Sequence, residues 1–154
     1  MKMSSFEDEN YVACISDLLK DKDVWSMAGF IQHSNVSCIE HSFSVSYASY
    51  RICKKFGLDY QSAARGALLH DFFLYDWHNG APGRLHALKH PNLALKNATN
   101  HFNLNSIEKE IIKRHMWPLT ITPPIHKEAI AVVIADKYCA SLEILRGYKR
   151  AIFK

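Results

Sequence analysis

Apolar residues recur at helical intervals along almost the whole of this 154-residue chain, and a set of histidines and carboxylates falls on the same stripes. No segment shows the strict alternation of a half-exposed strand over a useful length, so the pattern restricts the chain to helices packed on helices. The polar residues that interrupt the stripes come in the order His41, His70-Asp71, His90, His115 and Asp136. Each falls on or at the edge of a segment that reads as helix, and the neighbouring apolar residues turn several of them inward. Buried imidazoles and carboxylates are costly without partners, so several converging inside one helical domain point to a metal.

The helices can be placed from their faces and their stops. Residues 5–20 carry Phe6, Val12, Ile15, Leu18 and Leu19 at roughly helical intervals, within an N-terminal helical segment of about 1–22, and a short second segment covers about 24–31. The first long helix runs from about Val36 to Phe56, with Gly57 as its C-terminal stop. On it His41 shares a face with Val45, Ala48 and Ile52, so its ring is expected to point into the core. A helix from about Asp59 to Phe72 follows, with Asp59 as N-cap and a small-residue run of Ala63, Ala64, Gly66 and Ala67 that permits close helix contact. His70 and Asp71 lie at its C-terminal end.

Residues 74–89, LYDWHNGAPGRLHALK, contain Asn79-Gly80 and Pro82-Gly83 turn signals and read as the one substantial loop. Their Asp76, Trp77, His78, Arg84, His86 and Lys89 suit gripping a phosphate and stacking on a base. His90-Pro91 is expected to open the next helix, with Pro91 at its first position. Asn105 and Glu108 resemble a capping box for a helix whose Ile107, Ile111 and His115 share a stripe. After breaks at Pro118 and Pro123-Pro124, a last helix from about Ile125 to Leu145 places Asp136 in the middle of a face made by Ala129, Val132, Val133 and Ala140. The expected architecture is a single all-α domain over residues 1–154, a bundle of five or six helices with a ligand-bearing core at about 31–143 and a basic tail at 146–154.

Several function classes drop out. Cys14, Cys38, Cys53 and Cys139 show no paired spacing and no signal peptide precedes them, which suits reduced, buried thiols in a cytoplasmic protein rather than a thiolate zinc site. No apolar stretch approaches the ~20 residues that span a bilayer, so a soluble protein without membrane contact is expected. The net charge of +4 is modest, and outside the C-terminal RGYKRAIFK the cations are dispersed, with no basic stripe or reading module for nucleic acid. Mild basicity does suit a pocket for a small anion.

Four imidazoles and two carboxylates suit a first-row transition ion, iron or manganese foremost, with zinc, cobalt or nickel as alternatives, and not calcium. Six ligands exceed the needs of one tetrahedral site. Two ions sharing a bridging carboxylate would use them all and leave positions open to water.

The order His, His-Asp, His, His, Asp on consecutive helices resembles the HD-domain superfamily of metal-dependent phosphohydrolases, in its dinuclear branch, over about Ile31 to Glu143. The family's first histidine matches His41, its eponymous pair His70 and Asp71, and its terminal aspartate Asp136. His90 and His115 match the two additional histidines found in the HD-GYP phosphodiesterases and the bacterial diadenosine tetraphosphatases. The resemblance implies that His41, His70, Asp71 and Asp136 hold one ion, that Asp71 bridges, and that His90 and His115 hold the other, with His70 and Asp71 at the catalytic heart. It implies hydrolysis of a phosphate ester or anhydride of a small molecule, a nucleotide among them, by a metal-activated hydroxide.

The departures narrow the substrate. HDFFLYDW has apolar residues where HD-GYP proteins carry a lysine, and their Gly-Tyr-Pro triplet is missing, which disfavours cyclic dinucleotides. The Glu-Asp pair of guanosine tetraphosphate hydrolases is also missing. Arg84 and Lys89 are the candidates to neutralise phosphoryl charge, with His33 and His86 as acid or hydrogen-bonding groups. A nucleotide sensor with little catalysis and a di-iron oxygenase on the same ligand set are the rival readings. The oligomeric state is left open by the sequence.

Overall fold

Most of the helices begin where a short polar residue caps them, and one is followed by a glycine turn. The computed structural model describes residues 5–33, 35–74 and 83–152, and the side chains at 33, 83–87 and 148–152 lie outside that description. Helix α1 (Glu9–Ile15) is capped by Asp8, whose side chain accepts from the Tyr11 amide. A 3₁₀ turn at Leu18–Lys20 leads to α2 (Lys22–Ser26), capped by Asp21. A second 3₁₀ turn (Met27–Gly29) then feeds a two-stranded antiparallel hairpin, β1 (Ile31–His33) and β2 (Val36–Ser37).

The capping box Ser37/Glu40 starts α3 (Cys38–Lys55), and Gly57, at φ +66, turns the chain out of it. Asp59 caps α4 (Tyr60–Leu68) through the Ser62 amide. Next come α5 (Gly83–His101) and α6 (Ser106–Arg114), the latter opened by the Asn105/Glu108 capping box. Helix α7 (Lys127–Ile152) closes the fold. The architecture is all-α, with seven α-helices among the described residues and only the small hairpin besides.

Helices α3 and α4 lie back to back at the centre, with α1 and α6 against α4 and α7 against α3. One side of this pair buries Tyr11, Ile15, Leu18, Leu68, Phe72 and their neighbours. The other buries Val45, Ala67, Ile111, Ala129, Val132 and Ala135. At Gly66 a Cβ would stand 2.9–3.0 Å from three atoms of Ile111, so the small-residue run of α4 does let α6 come close. Arg65, on the same turn, donates from Nε to Glu108 at 2.6 Å and pairs also with Asp17, which ties α4 to α6 and to the end of α1.

Three local expectations change. Residues 83–89 form the first two turns of α5 instead of loop, and Pro91 lies inside that helix, so His90 is an interior helical residue and not one at a helix mouth. Arg84, Leu85, Ala87, Leu88 and Lys89 are good helix formers, and the packing of Ala94 and Ala98 outweighs the ~3 kcal/mol that a mid-helix proline costs. Ile31–His33 and Val36–Ser37 pair as the hairpin, in place of the helical segment expected to reach residue 31. Helix α7 continues through the basic C-terminal stretch to Ile152. Asp76, Trp77 and His78 lie outside the described residues. None of the described helices is long and apolar enough to cross a membrane.

Candidate metal centre

His41 sits one turn into α3, and its ring is fully buried. His70 and Asp71 follow the last turn of α4, where the helical hydrogen bonds have ended and two adjacent side chains can face one point. His90 comes from the middle of α5, His115 from the C-cap of α6, and Asp136 from the second turn and a half of α7. Five helices thus converge on six buried side chains.

The donor atoms form two groups joined by one carboxylate. In the first, His41 Nε2 lies 3.1 Å from Asp136 Oδ1, and His70 Nε2 lies 3.3 Å from Asp71 Oδ2 and 3.8 Å from Asp136 Oδ1. In the second, Asp71 Oδ1 lies 3.1 Å from His90 Nε2 and 3.5 Å from His115 Nε2, and the two ring nitrogens are 2.8 Å apart. His41, His70 and Asp71 can each offer a ligand atom within 4.8 Å of the others, as can Asp71, His90 and His115.

The outer ring nitrogens fix the direction of the inner ones. His70 Nδ1 donates to the Ala67 carbonyl at 2.7 Å and His115 Nδ1 to the Ile112 carbonyl at 2.8 Å. These carbonyls belong to last helical turns, which have no amide of their own helix to accept from. A neutral ring held in this way presents an Nε2 lone pair to the centre, facing carboxylate oxygens that also carry lone pairs. His70 Nε2 and Asp71 Oδ1 are buried and make no hydrogen bond. Lone pairs converging on lone pairs, with two atoms orphaned, is the donor set a divalent cation completes, so the residues fit a metal.

The imidazoles and carboxylates of the cluster shift one another's titration. Burial alone would lower the His41 pKa, but hydrogen bonds to Asp136 and Glu143 outweigh it and push the value up to about 10. For His70, too, burial is outweighed, here by the Asp71 charge, and its pKa rises. Burial works against the Asp71 carboxylate, yet His70, His115 and His90 hold it well below the usual range. Asp136 is likewise lowered against its burial, mainly by His41. His115 goes the other way, because burial dominates and lowers its pKa.

Comparison with known families matches the HD domain to residues 38–141, well over half of the chain. The chain belongs to the HD domain family. That family is one of metal-dependent phosphohydrolases, and its domain is all-α. No curated protein and no solved structure gives a significant match. All six residues that the HD motif order singled out stand in or around the cluster, and all six lie within the matched segment.

The four expected substrate contacts are placed less fully. Lys89 is exposed on α5, next to His90. Arg84 and His86 are on the first turns of α5 and His33 on β1, while their side chains lie outside the described part.

Three further residues reach the cluster without having been singled out by sequence. Glu143 Oε2 accepts from His41 Nδ1 at 2.8 Å. It lies seven positions after Asp136, two helical turns on the same face, and that spacing was the available signal. Gln32 on β1 donates its amide to Asp71 Oδ2. Nothing in the local pattern marks it, because it depends on the hairpin. Lys137 holds Nζ 3.7 Å from Asp136 Oδ2 and 3.3 Å from the His115 carbonyl, and its side chain is about half exposed. A cleft of about 230 Å³ between α5, α6 and the following connection is lined by Asn92, Lys113, Arg114, Thr120 and Thr122 among others. The separate group of Asp21, Asp23 and His101 is partly exposed, and there His101 pairs with Asp21 at 3.0 Å and fastens the end of α5 to the start of α2.

Proposed function

We propose that this protein is a phosphohydrolase with a dinuclear metal centre, acting on a phosphate ester or anhydride of a small molecule, with nucleotides as the favoured class. In this reading His41, His70, Asp71 and Asp136 hold one ion, and Asp71, His90 and His115 hold the second. The supporting observation is the Asp71 carboxylate, which turns Oδ2 toward one group of donors and Oδ1 toward the other. Mixed imidazole and carboxylate donors favour iron or manganese, with zinc, cobalt and nickel as alternatives. Ions held there supply Lewis acidity, lowering the pKa of a water and drawing charge from phosphoryl oxygens.

The chain's own residues do the rest. Buried hydrogen bonds from Nδ1 hold His70 and His115 in one tautomer, so no reorientation is needed when substrate arrives. Lys137, at the rim beside Asp136, can meet a phosphate oxygen with its ammonium group. Lys89 and Arg84 on α5 remain candidates for the same task, with His86 and His33 as proton or hydrogen-bond donors. The cationic and hydroxyl side chains of the cleft beside α5 and α6 offer contacts to the remainder of a phosphorylated substrate. Lys137→Ala is expected to raise KM several-fold while leaving metal content unchanged. Loss of metal in that variant would assign Lys137 to the integrity of the cluster instead.

The test is metal analysis of protein purified without chelator or metal-affinity resin, beside His90→Ala, followed by a nucleotide panel assayed for phosphate. We expect about two ions per chain, falling toward one in the variant together with loss of phosphate release. One ion or none in the unaltered protein would make His90 and His115 pocket residues and reduce the reading to a mononuclear enzyme or a binding protein.

A further inference from the structure

His41 differs from the other ring-anchored histidines in what holds it. His70 and His115 follow helix ends, so each finds an orphan carbonyl three residues back for its Nδ1 proton. His41 is one turn inside the 18-residue α3, where the backbone carbonyls nearby are engaged in the helix. An acceptor has to come from another element. Helix α7 brings it: Asp136 Oδ1 lies 3.1 Å from His41 Nε2 and Glu143 Oε2 lies 2.8 Å from His41 Nδ1, so one helix addresses both nitrogens of one buried ring. Glu143 is itself buried, at 7 % exposure.

We propose that Glu143 is a positioning residue for metal binding: it accepts a hydrogen bond from the His41 Nδ1 proton, fixes the tautomer whose Nε2 lone pair faces the centre, and makes the half-site of His41, His70, Asp71 and Asp136 the tighter of the two. This rests on the reading of the cluster as a metal centre. A carboxylate on the far nitrogen of a ligating imidazole orients the ring and raises its basicity, and losing such a partner typically weakens metal binding about 10- to 100-fold. Glu143 also places a third carboxylate by the first half-site, whereas among the described residues the second has the shared Asp71 alone. The expected effect is therefore confined to one ion.

The experiment is titration of the metal-stripped protein with Zn²⁺ against a competing chelator, for the unaltered chain, Glu143→Ala and Glu143→Gln, with circular dichroism to follow the fold. Glu143→Ala is expected to weaken the tighter ion by about 10- to 100-fold and leave the weaker one within a few-fold. Glu143→Gln should recover most of the loss, because its amide oxygen can accept the same proton. Unchanged affinity in Glu143→Ala, equal loss at both ions, or no recovery with glutamine each overturns the proposal. A second measurement needs no variant at Glu143: long-range proton–nitrogen NMR of the zinc-loaded, unaltered protein should show His41 protonated on Nδ1 and zinc-bound through Nε2. The opposite tautomer overturns the proposal. Failure of the unaltered protein to take up Zn²⁺ would instead remove the metal reading, and this inference with it.

Discussion

His41 carries the clearest pH signature in the molecule. Its folded pKa of about 10 lies above the ordinary 6.5, so in the metal-free protein it contributes stability that is complete below about 6.5 and is lost as pH rises through about 10. Asp71 and Asp136 are depressed below the ordinary 3.8, so their contribution is present above that value and is lost as pH falls. Denaturant unfolding of chelator-treated protein should therefore find its stability plateau between roughly pH 4 and 6.5. Zinc uptake must displace the His41 proton, so its affinity should climb about tenfold per pH unit above neutrality. A pH-independent affinity between 7 and 9 would contradict this protonation scheme. The six clustered side chains were legible in the sequence from their order, and His41, His115 and Asp136 also because each interrupts an apolar face with a group that interiors do not otherwise keep. Gln32 was not, since what marks it is a partner 39 residues away, and Glu143 showed only its seven-residue spacing from Asp136, its own partner lying 102 residues away.

At the scale of elements, the crossing of α4 and α6 sets the distance between His70-Asp71 and His115. Gly66 permits that crossing, and a methyl group there would meet Ile111 Cβ at 3.0 Å, too near the main chain for a side-chain rotation to relieve. Gly66→Ala should destabilise the fold by about 1–3 kcal/mol, read by denaturant unfolding, and should weaken zinc binding as His115 is displaced. A neutral or stabilising result would mean that α6 can shift without disturbing the centre. Gly66 stood out in the sequence within its small-residue run, and the caps Asp59 and Asn105 were equally readable, because capping is local chemistry. The start of α5 was not readable. Pro91 follows His90 as a helix-opening residue would, and only the packing of Ala94 and Ala98 against the core decides for a helix that runs through it. The hairpin was hidden for a related reason: two short strands cannot show a period of two.

For the whole molecule, the centre acts as a tie between elements far apart in sequence. Its side chains come from α3, the turn after α4, α5, α6 and α7, and among the described residues α5 packs chiefly on α6 and α7 chiefly on α3. Metal that binds only the folded chain should raise the unfolding free energy by about 2.7 kcal/mol at a hundred-fold excess over Kd. Thermal unfolding with Zn²⁺ and with chelator should show this as a rise of several degrees in Tm, absent in Asp71→Asn. An equal rise in that variant would place the bound zinc elsewhere.

The burial of the cluster also bears on traffic. Among the six donors Asp136 has the most exposed side chain, at 12 %, while those of His41, His70, Asp71, His90 and His115 stand at 5 % or less. An ion passing the described residues would find its most open approach beside Asp136, under the ammonium group of Lys137. Electrostatic repulsion at that gate opposes arrival and departure alike, so exchange should be slow compared with equilibration at an open surface site. Metal acquired during folding would then persist through many encounters with chelators, and the ion found in the protein would record where it folded more than where it was last dialysed.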